Sequence, residues 1–310
     1  MSERIDVYLV CNAKYHDTNF ARLELLKLLA EQEDVWVRVS DSYRDIDAIS
    51  RSKLLITYTC DLCPTDAEQD GLEAFLKQGG RWLALHGTNA LVELKNGKAS
   101  TPDKAPKLMQ LLGSRFVAHP AVQTFNVSVS EPEHPLVQGL ENFEIEDEPY
   151  YCEFFNEPTV LLEADYTTPS SGYERSSFGI DRDSQPQMYL HSVGEGEVLY
   201  LMLGHCTGKY DMQPLMDIAP ISRCAWNYPV GEGGLRRSVA WGMRSGDAAQ
   251  APAQVLAEAS ASKRSVTATA HPPDYLTRLE SPDHEPELYH PQKAHLDRGG
   301  PLATPRIEFA

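Results

Sequence analysis

KLLITYTCDLCPTDAEQDGLEAFLKQGGRWLALHG, residues 53–87, decides the fold. Lys53–Cys60 is a nearly continuous apolar run, as expected of a strand covered on both faces. Thr65 with Glu68 three residues on forms a capping box that opens a helix, and Gly79-Gly80 closes it. Arg81–Gly87 is a second apolar strand. Strand, helix and strand in this order imply parallel neighbours joined by a right-handed crossover.

The same alternation extends upstream. Ile5–Asn12 reads as a strand, Asn19–Glu31 carries leucines at helical spacing, and Val35–Ser40 alternates as a strand with one polar face. Downstream of residue 115 the pattern changes. Gln123–Ser130 alternates, Thr159–Leu162 is short and apolar, and Gln187–Val193 and Val198–Leu203 flank the hairpin turn Gly194-Glu195-Gly196-Glu197. Leu235–Met243 reads as a closing helix. The expected fold class is α/β: a three-layer, mostly parallel sheet with antiparallel strands added in the second half. Residues 1–244 form the expected domain. Residues 245–310 hold 8 of the 21 prolines and 4 of the 10 histidines with no sustained apolar period, so an extended or disordered tail is expected there.

Composition narrows the partners. The 310 residues carry a formal net charge of −17, which argues against nucleic acid and anionic membrane surfaces. No apolar run approaches the ~20 residues of a membrane span, and no export signal is expected from the first residues. Cysteines 11, 60, 63, 152, 206 and 224 are too irregularly spaced for a disulfide framework, so a reducing, cytoplasmic setting is expected.

The sharpest chemical signals are histidines that follow apolar runs. His86 ends the strand Trp82–Leu85, and Gly87 permits a sharp turn behind it; His205 ends Leu199–Gly204 in the same way. His16 follows the first strand, and His119 precedes Pro120 in a loop. Ligands of open α/β sheets bind outside the carboxyl ends of strands. Glu146-Asp147-Glu148 supplies carboxylates ahead of Tyr150. Any one of these has a bland reading: a strand-end histidine is most often a cap, and an acidic cluster is most often solvated. His134 before Pro135 reads as a turn cap, and His191 as core or hairpin surface. Cys60 and Cys63 form a lone CxxC; a thiol redox pair or half a zinc site is the functional reading, two simply buried cysteines the structural one. Gly231-Glu232-Gly233-Gly234 follows no strand, so no nucleotide cofactor is expected.

In their order, these motifs resemble the ThuA-like (trehalose-utilisation) family, which shares the class I glutamine amidotransferase architecture. The matching segments are Tyr15-His16-Asp17, Leu85-His86-Gly87, Phe116–Pro120, Glu133–Leu136, Asp147–Tyr150 and Gly194 onward to His205, over roughly residues 5–243. The family pattern departs at Pro149 and Cys206. The resemblance implies that His86 stands where that architecture has its nucleophilic Cys, with His205 at the partner histidine; without the Cys, glutamine hydrolysis is not expected. It also implies carbohydrate chemistry, with keto-sugars as the substrate class.

The residues expected to carry catalysis are His16, His86, His119, His205 and Glu148, with Asp17, Asp147 and Tyr150 contacting substrate. The four histidines are also candidate ligands for a divalent metal, zinc or manganese. The leading function is lyase, isomerase or hydrolase chemistry on a sugar-derived small molecule, by acid/base or metal-assisted steps. The alternative is a non-catalytic sugar- or partner-binding module. A homo-oligomer is compatible with either.

Overall fold

The computed structural model describes residues 4–95 and 97–243; the expectation for residues 245–310 lies outside them. The strands are β1 (Ile5–Ala13), β2 (Val35–Ser40), β3 (Leu54–Cys60), β4 (Arg81–Leu85), β5 (Glu93–Lys95), β6 (Lys98–Ser100), β7 (Ser114–Ala118), β8 (Gln123–Val129), β9 (Phe143–Asp147), β10 (Tyr151–Phe154), β11 (Thr159–Ala164), β12 (Gln185–Val193) and β13 (Gly196–Leu201). The helices are α1 (Thr18–Ala30), α2 (Ile46–Arg51), α3 (Asp66–Lys77), α4 (Pro106–Leu112) and α5 (Pro229–Met243).

Nine strands form one mixed sheet in the order β2-β1-β3-β4-β13-β12-β11-β8-β9. The run from β2 to β13 is parallel throughout, and every pairing from β13 to β9 is antiparallel. All seven residues of β3 are buried, which explains its unbroken apolar sequence. The Thr65 capping box is present as expected, with the Thr65 side chain on the Glu68 N–H and the Glu68 carboxylate on the Thr65 N–H. The hairpin of β12 and β13 turns at Gly194, φ +61°.

Register decides where chemistry can gather. Ala13 lies beside Cys60, Tyr58 beside Leu85, and Leu85 beside Leu201. The carboxyl ends of β1, β3, β4 and β13 therefore open onto one rim, and the segments that follow β1, β4 and β13 carry His16, His86 and His205. A separate two-stranded ribbon pairs β7 with β10 in antiparallel register, Ala118 beside Tyr151, so His119 and Glu148–Tyr150 leave it at the same end.

The turn after β4 differs in detail from expectation. His86 itself, not Gly87, takes the left-handed backbone, at φ +44°. Gly87 is needed for another reason: a Cβ there would stand 3.0 Å from both the Thr59 carbonyl oxygen and the Cys60 Cβ. A left-handed non-glycine residue is strained and persists only when its surroundings hold it. Tyr200 does so, donating its hydroxyl to the His86 carbonyl (2.7 Å) and accepting the Asn89 N–H (2.8 Å). One phenol thus bridges the single-turn helix His86–Asn89.

Candidate functional site

His16, His86, His205 and Glu148 converge, and one ligand atom from each lies within 4.8 Å of all the others. All four are buried, at 6%, 0%, 6% and 8% exposure. Ring centroids stand 5.0 Å apart for His16–His86 and for His16–His205, and 5.4 Å for His86–His205.

Backbone carbonyls fix the tautomers. His16 Nδ1 lies 2.7 Å from the Lys14 carbonyl oxygen, and His86 Nδ1 lies 2.7 Å from that of Met202. A carbonyl only accepts, so each Nδ1 carries the proton and each neutral ring presents a bare Nε2. The Tyr150 hydroxyl donates to His86 Nε2 at 3.1 Å. His16 Nε2 is buried without a hydrogen-bond partner. His119 repeats the pattern, its Nδ1 lying 2.7 Å from the Pro120 carbonyl oxygen and 3.2 Å from Glu148 Oε1.

Glu148 is the hub. Its Oε2 lies 3.2 Å from His205 Nδ1 and 3.5 Å from His86 Nε2. The His205 contact is close but off the hydrogen-bond axis, so His205 Nδ1 has no aligned partner. Burial alone would push the Glu148 carboxyl up, but His119 and His205 beside it hold it well below the usual carboxylate range. For His205 burial works against the proton, and the Glu148 and Asp147 carboxylates more than offset it, so its basicity is raised. His16 is held well below the ordinary imidazole value, first by burial and then by the His86 and His205 rings. Burial likewise lowers His119. One rim thus carries a proton-holding imidazole beside proton-shedding ones.

Asp147 is fully buried, and its carboxylate receives four backbone N–H groups. Oδ1 accepts from Glu148 (2.7 Å) and His205 (3.1 Å), and Oδ2 from Gly204 (2.9 Å) and Ala225 (3.2 Å). Those four donors match the lone pairs a carboxylate offers. Asp17 lies outside the cluster: it caps α1 through the Phe20 N–H (3.0 Å) and pairs with Arg223 (2.9 Å). Tyr150, by contrast, reaches the cluster through His86, and Tyr173 stands against His119 with centroids 5.0 Å apart. Sequence reading did not single out Tyr173, Tyr200 or Tyr58; they sit in ordinary apolar or loop contexts, and only the fold aims them at the histidines.

The remaining candidates resolve as local structure. His134 Nδ1 accepts the Leu136 N–H at 3.3 Å, the expected turn cap. The His191 ring lies on β12 and meets the Gln110 carbonyl oxygen at 3.1 Å. All six cysteines are free; Cys60 is buried and Cys63 exposed, and burial pushes both thiols up. Among the described residues, no helix is long and apolar enough to cross a membrane.

Comparison with known proteins agrees with this architecture. The family model described as ThuA, trehalose utilisation, matches residues 7–219. A ThuA-like protein from Bacteroides uniformis superposes with a TM-score of 0.54 at 17% identity, covering 77% of this chain and 91% of that one. A ThuA-like protein from Parabacteroides merdae gives 0.51 at 16% identity, covering 78% and 90%. At these identities the likeness shows the fold. No curated protein matches the sequence.

Proposed function

Because the chain belongs to the ThuA family of trehalose utilisation, we propose that it is an enzyme of carbohydrate catabolism whose reacting centre is the cluster of His16, His86, His205 and Glu148. The substrate we assign is a sugar-derived small molecule, a keto-sugar by preference, because its C–H bonds next to a carbonyl are acidic enough for imidazole bases. The observation that carries the reading is the unpartnered His16 Nε2 among three other groups whose ligand atoms lie within 4.8 Å.

These residues fit a divalent cation, zinc or manganese by donor type. Metal-bound histidines usually donate the second ring N–H to a carbonyl or carboxylate, and His16 and His86 are already arranged so. Ligand atoms that now lie within 4.8 Å of one another would have to draw closer together to share one ion. When bound, the ion would polarise the substrate carbonyl.

The chain's own part is proton transfer. His119 is the least enclosed imidazole of the group, with a side chain 25% exposed. Glu148 and the Pro120 carbonyl hold its Nδ1–H, which leaves Nε2 as the base. Tyr150 donates from within the cluster, and Asp147 holds the loop that carries His205. With β2-β1-β3-β4-β13 in the flavodoxin-like order, we further read the parallel half as a three-layer sandwich. Six free cysteines support a cytoplasmic working place.

A second reading rests on the closure of the cluster. Four protein ligands on one ion are the hallmark of a structural site, whereas catalytic zinc keeps a position open. That would suit a sugar-binding module without turnover. The experiment is turnover of a keto-sugar panel by wild type, His119→Ala and Glu148→Gln. The enzyme reading expects wild-type turnover reduced about 10²–10⁴-fold in His119→Ala; equal turnover by all three removes it, and saturable sugar binding without turnover selects the module.

A further inference from the structure

A second space in the molecule is lined by no histidine, although Leu85 and Gly204, which precede His86 and His205, form part of its wall. Between α1 and α5 lies a cavity of about 290 Å³. Its floor is the underside of the sheet at Leu201, Met188 and Leu162, and Phe143 and Leu140 close one side. The space opens to solvent at a rim that includes Lys27, Glu31 and Glu232. This space approaches the lower end of small-molecule sites.

The glycines of α5 bear on why it is open. Gly231-Glu232-Gly233-Gly234 lies in the first turns of α5, and glycine is the poorest helix residue after proline. Gly231 has a packing reason, since a Cβ there would run into the Ala225 carbonyl. Gly234 has none: an added Cβ meets nothing within 4 Å, and the residue lines the cavity. A side chain at this position would project into free space and fill it.

The lining also restricts the occupant. Charges at the rim are already paired: Arg236 with Glu31 (2.6 Å) and Glu232 (3.2 Å), and Lys27 with Glu24 (2.7 Å). The Gly204 carbonyl at the inner end already accepts from Tyr58 Oη (3.0 Å) and Trp226 Nε1 (2.8 Å). Every rim charge already has an ion-pair partner and the one in excess is a carboxylate, which disfavours an anionic head group; the volume is far too small for a helix or a peptide strand with its side chains.

We propose that the space between α1 and α5 is a ligand site for a compact, uncharged, apolar molecule, kept open by Gly234. The site takes a molecule of naphthalene or medium-chain alcohol size, with the sheet as its floor.

The test uses the full chain and prodan, an uncharged naphthalene ketone, followed by its fluorescence. Wild type is expected to bind it saturably at one site, with 1-octanol displacing it. Gly234→Leu fills the space and is expected to weaken binding at least about tenfold. Gly233→Leu, equally free of clashes but off the cavity wall, is expected to bind like wild type. Absence of saturable binding by wild type, or equal binding by the two leucine variants, overturns the proposal. Should Gly234→Leu fail to fold, hydrogen exchange of wild type decides. Protection by prodan confined to the segments that line the space (residues 18–30, 136–143 and 225–243 with the strands of the floor) supports the site, and protection elsewhere overturns it.

Discussion

Asp147 accepts the backbone N–H of His205 at 3.1 Å, while the next residue, Glu148, meets the ring of the same histidine at 3.2 Å. Two adjacent acids therefore divide the work: one fixes the chain that delivers the imidazole, the other faces the imidazole itself. Asp147 also takes the N–H groups of Gly204 and Ala225, so it ties the end of β9 to the segment after β13 and to the turn before α5.

Asp147→Asn is the direct probe of that tie. The amide keeps the shape but turns an NH₂ toward N–H donors in a fully buried place. We expect a loss on the order of 3 kcal/mol, since unpairing buried polar groups is costly. Urea unfolding measures it; a loss below about 0.5 kcal/mol would mean that the four hydrogen bonds hold nothing in place.

Tyr200→Phe removes the phenol that bridges His86 and Asn89. Both backbone groups are buried, so we expect a cost of about 2–4 kcal/mol from leaving them unpaired. The cluster should loosen as well, because the left-handed turn at His86 is strained and loses its main restraint. Unfolding at wild-type denaturant concentration would speak against Tyr200 as that restraint.

Of the fold, the parallel half was legible because its elements carry their own signals: β3 as an unbroken apolar run, α3 through its capping box, β4 through the Gly79-Gly80 that precedes it. Shorter pieces were not. The six residues of α2 span under two turns, too few to show a period. The four-residue β10 is seen only through its pairing with β7. In β9, Phe143-Glu144-Ile145-Glu146-Asp147 alternates between buried and exposed, yet its charges read as a solvated loop. The site was legible as a set of residue types at strand ends. What Asp147 does was not, because its partners Gly204 and Ala225 stand 57 and 78 positions away in the chain.

Stability of the metal-free protein should fall with acidification. Burial, first of all, keeps His16 and His119 from binding a proton in the fold, whereas the unfolded chain takes one on each near pH 6.5. Their contribution is complete above that pH and is lost as the pH falls below it. His205 runs the opposite way: its contribution is complete below about pH 6.5 and fades as the pH rises through its raised folded value. Between pH 6.5 and 5 each unmatched proton is worth up to about 1.4 kcal/mol per pH unit. His16→Asn should flatten the slope, as read from urea midpoints; an unchanged slope would mean that His16 already holds its proton when folded.

Cys60 and Cys63 should show no redox couple. Burial holds the Cys60 thiol well above its ordinary value, which removes the thiolate that exchange requires. A Cys60→Ser, Cys63→Ser double variant should match wild type in any activity. A measurable disulfide potential for the pair would contradict this.

The most direct test is the metal content of untagged protein incubated with zinc or manganese and then dialysed. About one ion per chain is expected in wild type and in His134→Ala, whose histidine only caps a turn, and none in His86→Ala or His205→Ala. Wild type that retains no ion, or variants of His86 and His205 that retain as much as wild type, would contradict a cation held by His16, His86, His205 and Glu148.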